Sequence, residues 1–284
     1  MTMHRIMIFL VALGVAVCLS ADNGPTGPVY VEPLKTASLD EMGGDPTVKN
    51  ADQPDPQGEA LRARSKEILD AAGFRFSSSL PTLNRRAGVP GKLRPANEIQ
   101  KRLLVSYAVY LYVVYDEKTV SKDDIGALLS VYDLPDEFTR DEALIITKPR
   151  EQARKEHMDT IGWNLENMEA LAWMLGYDEQ PALDGKMIGG KRRDALMEFI
   201  GESWQGPEAF AKTLSPRSEA DVLQLEDTFY CAHNAVRSAQ LGHAEQVPEK
   251  FHPVRNGGVI HEKREALTWA LSPGVEWDAT DTST

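Results

Sequence analysis

The sequence predicts an all-α fold, a single compact multi-helix domain packed around a central buried helix at about residues 160–177. Three observations point there. First, Gly162–Tyr177 laid on a helix at about 100° per residue turns apolar side chains almost all the way round. Trp163, Leu165, Met168, Leu171, Trp173 and Leu175 leave only a narrow edge, near Glu169 and Gly176, for solvent. A helix apolar on most sides has to be enclosed by other helices. Second, Glu166–Leu175 and Glu262–Leu271 share one pattern, E-x-x-E-A-L-x-W-x-L, each with a Glu seven residues before a Trp on the same face. Third, no stretch shows the repeated short alternating segments of a β fold.

The N-terminus carries His4 and Arg5, an unbroken apolar run Ile6–Val17, and small residues around Cys18, Ser20 and Ala21. A basic start, a short apolar run and a small-residue cleavage site make an export signal over residues 1–21. Twelve apolar residues are too few to span a bilayer. Cleavage after Ser20 or Ala21 would release the chain to the periplasm or the medium. A lipid-modified Cys18 would instead leave it tethered to a membrane. Residues 22–58, with Pro25, Pro28, Pro33, Pro46, Pro54 and Pro56 and few large apolar side chains, read as a disordered linker with an end-to-end distance on the order of 30 Å. With Cys18 assigned to the signal or its lipid, Cys231 is the one cysteine left, so no internal disulfide can form. Its mid-helix apolar setting suggests a buried, inert thiol, with a nucleophile as the alternative.

The α-helical domain is expected over residues 59–284. Leu61, Ile68 and Leu69 give the first helix an apolar stripe, and Gly73 stops it. Pro95-Ala-Asn-Glu98 starts the next, with proline in the first turn and an early carboxylate. Its run Leu103–Tyr115 has no charge. At this length it suits a core helix rather than a membrane span, although its Val and Tyr content would also suit a strand. Ser121 caps Ile125–Tyr132, and Pro135–Ile146 forms a short helix ended by Pro149. Arg150–Asp159 is charged and leads into the central helix. Lys191–Ile200 is amphipathic, Ser218–Leu241 is a long helix closed by Gly242, and Gly257-Gly258 introduces the last helix, Val259–Leu271.

Several segments in order carry a family resemblance. They are Leu93–Arg102, Trp163-x-x-Glu166 with Ala170–Gly176, Glu226–Tyr230 with His233 and Arg237, and Gly258–Glu262 with Arg264, Ala266-Leu267, Trp269 and Trp277-Asp278. Together they resemble the bacterial domain-of-unknown-function family 4272, from about Leu61 to the end. The resemblance implies an α-helical domain and transfers no catalytic residues.

On the long helix, Leu225, Phe229, Ala232, Val236 and Ala239 form a core stripe, and Glu226, Tyr230, His233, Arg237 and Gln240 form a shoulder beside it. Glu166 projects between Trp173 and Tyr177, with Trp163 nearby in sequence, and Glu262 between Trp269 and Ala266. Buried carboxylates need a partner, and an arginine fork satisfies one through two parallel hydrogen bonds. Arg237 is therefore expected to pair with Glu262, Glu166 or both. The structural version is an ion network that fixes helix register. The catalytic version uses Glu166 and Glu262 with His233 and Tyr230 in acid–base work.

A formal charge of −12 argues against nucleic acid and against adhesion to anionic lipid. Any membrane contact would run through the signal or a lipid anchor. No H-E-x-x-H, G-x-S-x-G, P-loop or G-x-G-x-x-G motif occurs, and no metal or cofactor is expected. The leading expectation is a non-enzymatic binding module whose partner is a protein or small molecule. The rival is an envelope hydrolase or lyase.

Overall fold

A computed structural model describes residues 54–86, 89 and 91–284. The expected export signal, Cys18 and the linker up to residue 53 lie outside the described residues. Among the described residues there are ten α-helices and no strand. They divide into two compact units interleaved along the chain. Ala96–Gln180 and Met187–Pro216 make the first; residues 54–95, Pro181–Lys186 and Arg217–Thr284 make the second. The expected domain over 59–284 spans both.

In the first unit, the uncharged run is a helix, α2 (Ala96–Val114), buried continuously from Arg102 to Val113. The central helix, α6 (Asn164–Met174), packs on it, and every residue from Leu165 to Met174 is buried. The expected solvent edge at Glu169 is thereby corrected. Glu169 is fully buried, because Arg192 of α7 (Gly190–Gly201) pairs with its carboxylate. Gly176 closes α6 at φ 112°. A Cβ there would sit 2.7 Å from the Ser215 nitrogen, so only glycine fits the turn.

Reciprocal side-chain caps start two further helices. Ser121 and Asp124 open α3 (Lys122–Val131). Thr139 and Glu142 open α4 (Arg140–Thr147), some residues later than the proline at 135 suggests. The charged segment is α5 (Arg150–His157). Its arginines close the C-terminal end of α2: Arg150 donates to the carbonyls of Leu111 and Tyr112, both at 3.0 Å, and Arg154 to that of Val114 at 3.0 Å. One helix has no counterpart in the sequence expectations, α8 (Pro207–Thr213). It seats the fully buried Phe210 edge-on to Tyr132 and Phe199, with ring centroids 6.5 and 6.2 Å apart.

The second unit is built on α9 (Glu219–Gln240), which packs against α1 (Pro56–Ala72) and α10 (Gly257–Ala270). Order begins earlier than Glu59. The Asp55 carboxylate accepts from the Gly58 N–H at 2.9 Å and Pro56 stands in the first turn. Pro56, counted with the linker, therefore starts a helix, since proline loses no hydrogen bond at that position. Asn84 also donates to Asp55, through its backbone N–H at 3.1 Å and its side-chain amide at 2.6 Å.

Candidate functional site

The shoulder of α9 sinks into the second unit at its N-terminal half and surfaces at the other. Glu226, Tyr230 and His233 are buried, Arg237 is half-buried and Gln240 exposed. Its core stripe, Leu225 to Ala239, is buried throughout. The side chains that meet the shoulder come from three elements.

Arg86 follows the short 3-10 turn Leu83–Arg85. Its fork grips Glu226, Nη1 donating to Oε2 at 2.6 Å and Nη2 to Oε1 at 2.7 Å. The Thr268 hydroxyl of α10 donates to Oε1 at 2.8 Å. Burial alone would raise the Glu226 carboxyl, but the charge and hydrogen bonds of Arg86 more than offset it and hold it below the usual carboxylate range. The same pairing carries Arg86 further up, against the pull of its own burial.

Arg62 of α1 makes a second pair, its Nη2 3.0 Å from Asp227 Oδ1. It also donates to the carbonyls of Leu80 and Pro81 at 3.0 and 2.9 Å. Arg264 of α10 supplies a third guanidinium. Its Nη1 lies 2.7 Å from His233 Nδ1 and 2.5 Å from the Thr282 carbonyl, and its Nη2 donates to Ser283 at 2.9 Å. Tyr230 sits among all three, with guanidinium carbons 3.9 Å (Arg86), 4.8 Å (Arg264) and 5.7 Å (Arg62) from its ring centroid. An electron-rich ring face stabilises cations packed this way.

The histidines respond to the same field. Burial lowers His233 well below its ordinary value, and Arg264 and His261 add to the effect. His261, its ring 5.2 Å from that of His233, is pulled down to about 4 by burial and Arg264. An arginine can only donate, so His233 Nδ1 accepts and its proton resides on Nε2. Burial, with Arg86 close by, lowers Arg264 to about 10. Cys231 is buried, and burial pushes its thiol up.

The residues singled out from the sequence fall into both units. Glu166, Trp163 and Trp173 belong to the first; Tyr230, His233, Arg237, Glu262 and Trp269 belong to the second. Glu166 is fully buried, and its Oε1 accepts from the Ile188 N–H at 2.7 Å. Trp173 is buried and Trp163 half-buried. Glu262 is half-buried, between the buried His261 and Lys263. Arg237 donates to Gln240 at 2.7 Å. Trp269 packs at 5.4 Å on Trp277 and under Arg94, 4.2 Å from its ring. Arg62, Arg86 and Asp227 escaped the sequence, and Glu226 and Arg264 were visible there without a partner. The glutamate's place on the α9 shoulder was the available signal.

An open cavity of about 720 Å³ lies elsewhere in the second unit, lined by Asp70, Phe74, Arg75, Glu245 and Glu249 among others. Among the described residues no three His, Cys, Asp or Glu side chains are grouped to hold a metal ion, and no helix is long and apolar enough to cross a membrane.

No curated protein and no solved structure matches the chain. The charged residues that meet around Tyr230, from Arg62 to Arg264, lie within the stretch matched by a family model, that of a domain of unknown function, DUF4272, over residues 61–280, and the chain belongs to that family.

Proposed function

We propose that the protein is an exported, non-catalytic binding module. The observation that carries this is the commitment of the acid–base groups to partners inside the fold. Glu226 is taken up by Arg86 and Thr268, and Glu166 accepts a backbone N–H. A general base needs a lone pair within reach of the proton it removes, and the Nδ1 lone pair of His233 faces Arg264. Of the three groups a hydrolase or lyase would draw on, only Glu262 is partly open to water. Export is supported by His4, Arg5 and the Ile6–Val17 run.

Two measurements test the proposal. The full chain expressed in a bacterial host should appear outside the cytoplasm with its first residue at Ala21 or Asp22 by mass spectrometry; an unprocessed cytoplasmic chain contradicts export. Immobilised protein exposed to a native envelope fraction should retain a stoichiometric partner equally well as wild type, Glu166→Gln and Glu262→Gln. Cleavage of an envelope polymer by wild type but not by a Glu166→Gln variant of unchanged melting temperature would establish the enzyme instead.

A further inference from the structure

Among the described residues, the charges buried around Tyr230 do not balance. Three guanidiniums, Arg62, Arg86 and Arg264, face two carboxylates, Glu226 and Asp227, and each carboxylate already has its own arginine. The histidines beside them are neutral at pH 7. Arg264 is the cation left over: only 1% exposed, with its Nε buried and without a hydrogen-bond partner. A buried cation of this kind requires an anion or a good imitation of one.

The chain itself supplies the imitation. The two outer nitrogens of Arg264 donate to the consecutive carbonyls of Thr282 and Ser283, the parallel geometry with which an arginine fork holds a carboxylate. Asp281 adds a negative charge felt at the guanidinium, and its Oδ1 fixes the turn by accepting from the Ser283 N–H at 2.9 Å. The segment is lightly held. Asp281 and Ser283 are exposed, Thr282 is half-exposed, and none belongs to a helix.

We propose that residues 281–283 are a strap lying in an oxyanion site built by Arg264, whose guanidinium is held in place by Tyr230 and His233, and that a carboxylate or phosphate able to offer two oxygens to one guanidinium displaces it. This deepens the binding reading and rests on it, naming the ligand chemistry. Two carbonyl dipoles and one solvent-exposed carboxylate neutralise a guanidinium less completely than a seated anion does, because a full negative charge in a water-poor site interacts more strongly than a dipole. The strap sets a threshold, since a ligand must outcompete a segment held at high effective concentration.

The test is calorimetric titration of the full chain with acetate, succinate and inorganic phosphate. Asp281→Ala removes the charge and the turn-fixing acceptor. Ser283→Pro removes the N–H that Asp281 holds. Both loosen the strap without touching the arginine, and both should bind at least one probe about tenfold more tightly than wild type, the scale of losing one charge-assisted hydrogen bond from the competing segment. Arg264→Lys, which keeps the charge and loses the fork, should abolish the gain when combined with Asp281→Ala. A carboxylate-only response names an organic acid or an acidic chain end as the ligand class; a phosphate-only response names a phosphate. Equal or weaker binding by both strap variants, or no binding of any probe, overturns the proposal. Should the envelope fraction yield no partner while the strap variants still tighten anion binding, the module binds a small molecule. Partner capture with no anion response sinks the strap alone.

Discussion

Arg86 and Glu226 show what a single residue decides in this protein. The pair is sealed, with side chains 5% and 0% exposed. Desolvating two charges is costly, and replacing both with apolar groups of similar volume is often neutral, whereas removing one leaves the other uncompensated. Arg86→Ala is therefore expected to destabilise by about 3–5 kcal/mol, and Arg86→Met with Glu226→Leu to recover most of that loss, measured by denaturant unfolding. A double variant as unstable as the arginine variant would show that the guanidinium's packing on Tyr230 matters more than the pair. The sequence disclosed half of this arrangement. Glu226 stood on the shoulder of an amphipathic helix, where a carboxylate beside the core demands a cation. Its partner follows a short 3-10 turn, and such a segment has no periodicity from which to read a direction. From the sequence, Arg237 is expected to serve Glu262 or Glu166, and Glu226 has no assigned partner.

At the scale of an element, helix ends hold much of the fold. The first unit joins α2 to α5 through Arg150 and Arg154, which satisfy the carbonyls that a helix C-terminus leaves without intrahelical donors. Arg150→Ala should cost about 2–3 kcal/mol, a charge-assisted contact of that size being lost, whereas Ser121→Ala at the N-cap of α3 should cost about 1 kcal/mol. Thermal unfolding of both variants checks the order, and a larger loss at the cap would contradict it. N-terminal signals were legible where a capping residue is followed by an acidic first turn, as at Ser121. They failed where proline looked like a breaker, at Pro56, and where a seven-residue helix is too short to show a period, as in α8. The central helix was read correctly as buried from its all-round apolar pattern. Its two carboxylates were split into one inside and one outside because a helical projection cannot see Arg192 arriving from another element. Long-range capture of a charge is a tertiary event, and local periodicity carries no trace of it.

At the scale of the whole molecule, a chain of net charge −12 keeps, among its described residues, an excess of buried positive charge around Tyr230. Composition reports the surface field and says nothing of this internal balance, which is why an acidic total argued against anionic polymers while a single guanidinium remains suited to a small anion. The same interior holds two histidines neutral, and that leaves a signature in the stability of the protein. Their folded values lie below the ordinary 6.5, with His261 at about 4. Between those pH values the unfolded chain binds more protons than the folded one, so stability rises with pH across the window and is lost as pH falls. Glu226, held low by Arg86, adds a loss of the same sign further down, once the unfolded carboxyl begins to protonate. The most direct measurement of the account is the unfolding free energy of the full chain between pH 7.5 and 5, compared with that of His261→Gln. The expected result is a fall of roughly 4 kcal/mol in wild type, about 1.4 kcal/mol per pH unit for each of the two histidines below its unfolded value, and a fall about half as large in the variant. A wild-type profile that stays flat, or that the variant reproduces, would mean that these side chains take up protons freely in the folded state and that the guanidinium-lined interior is not assembled as described.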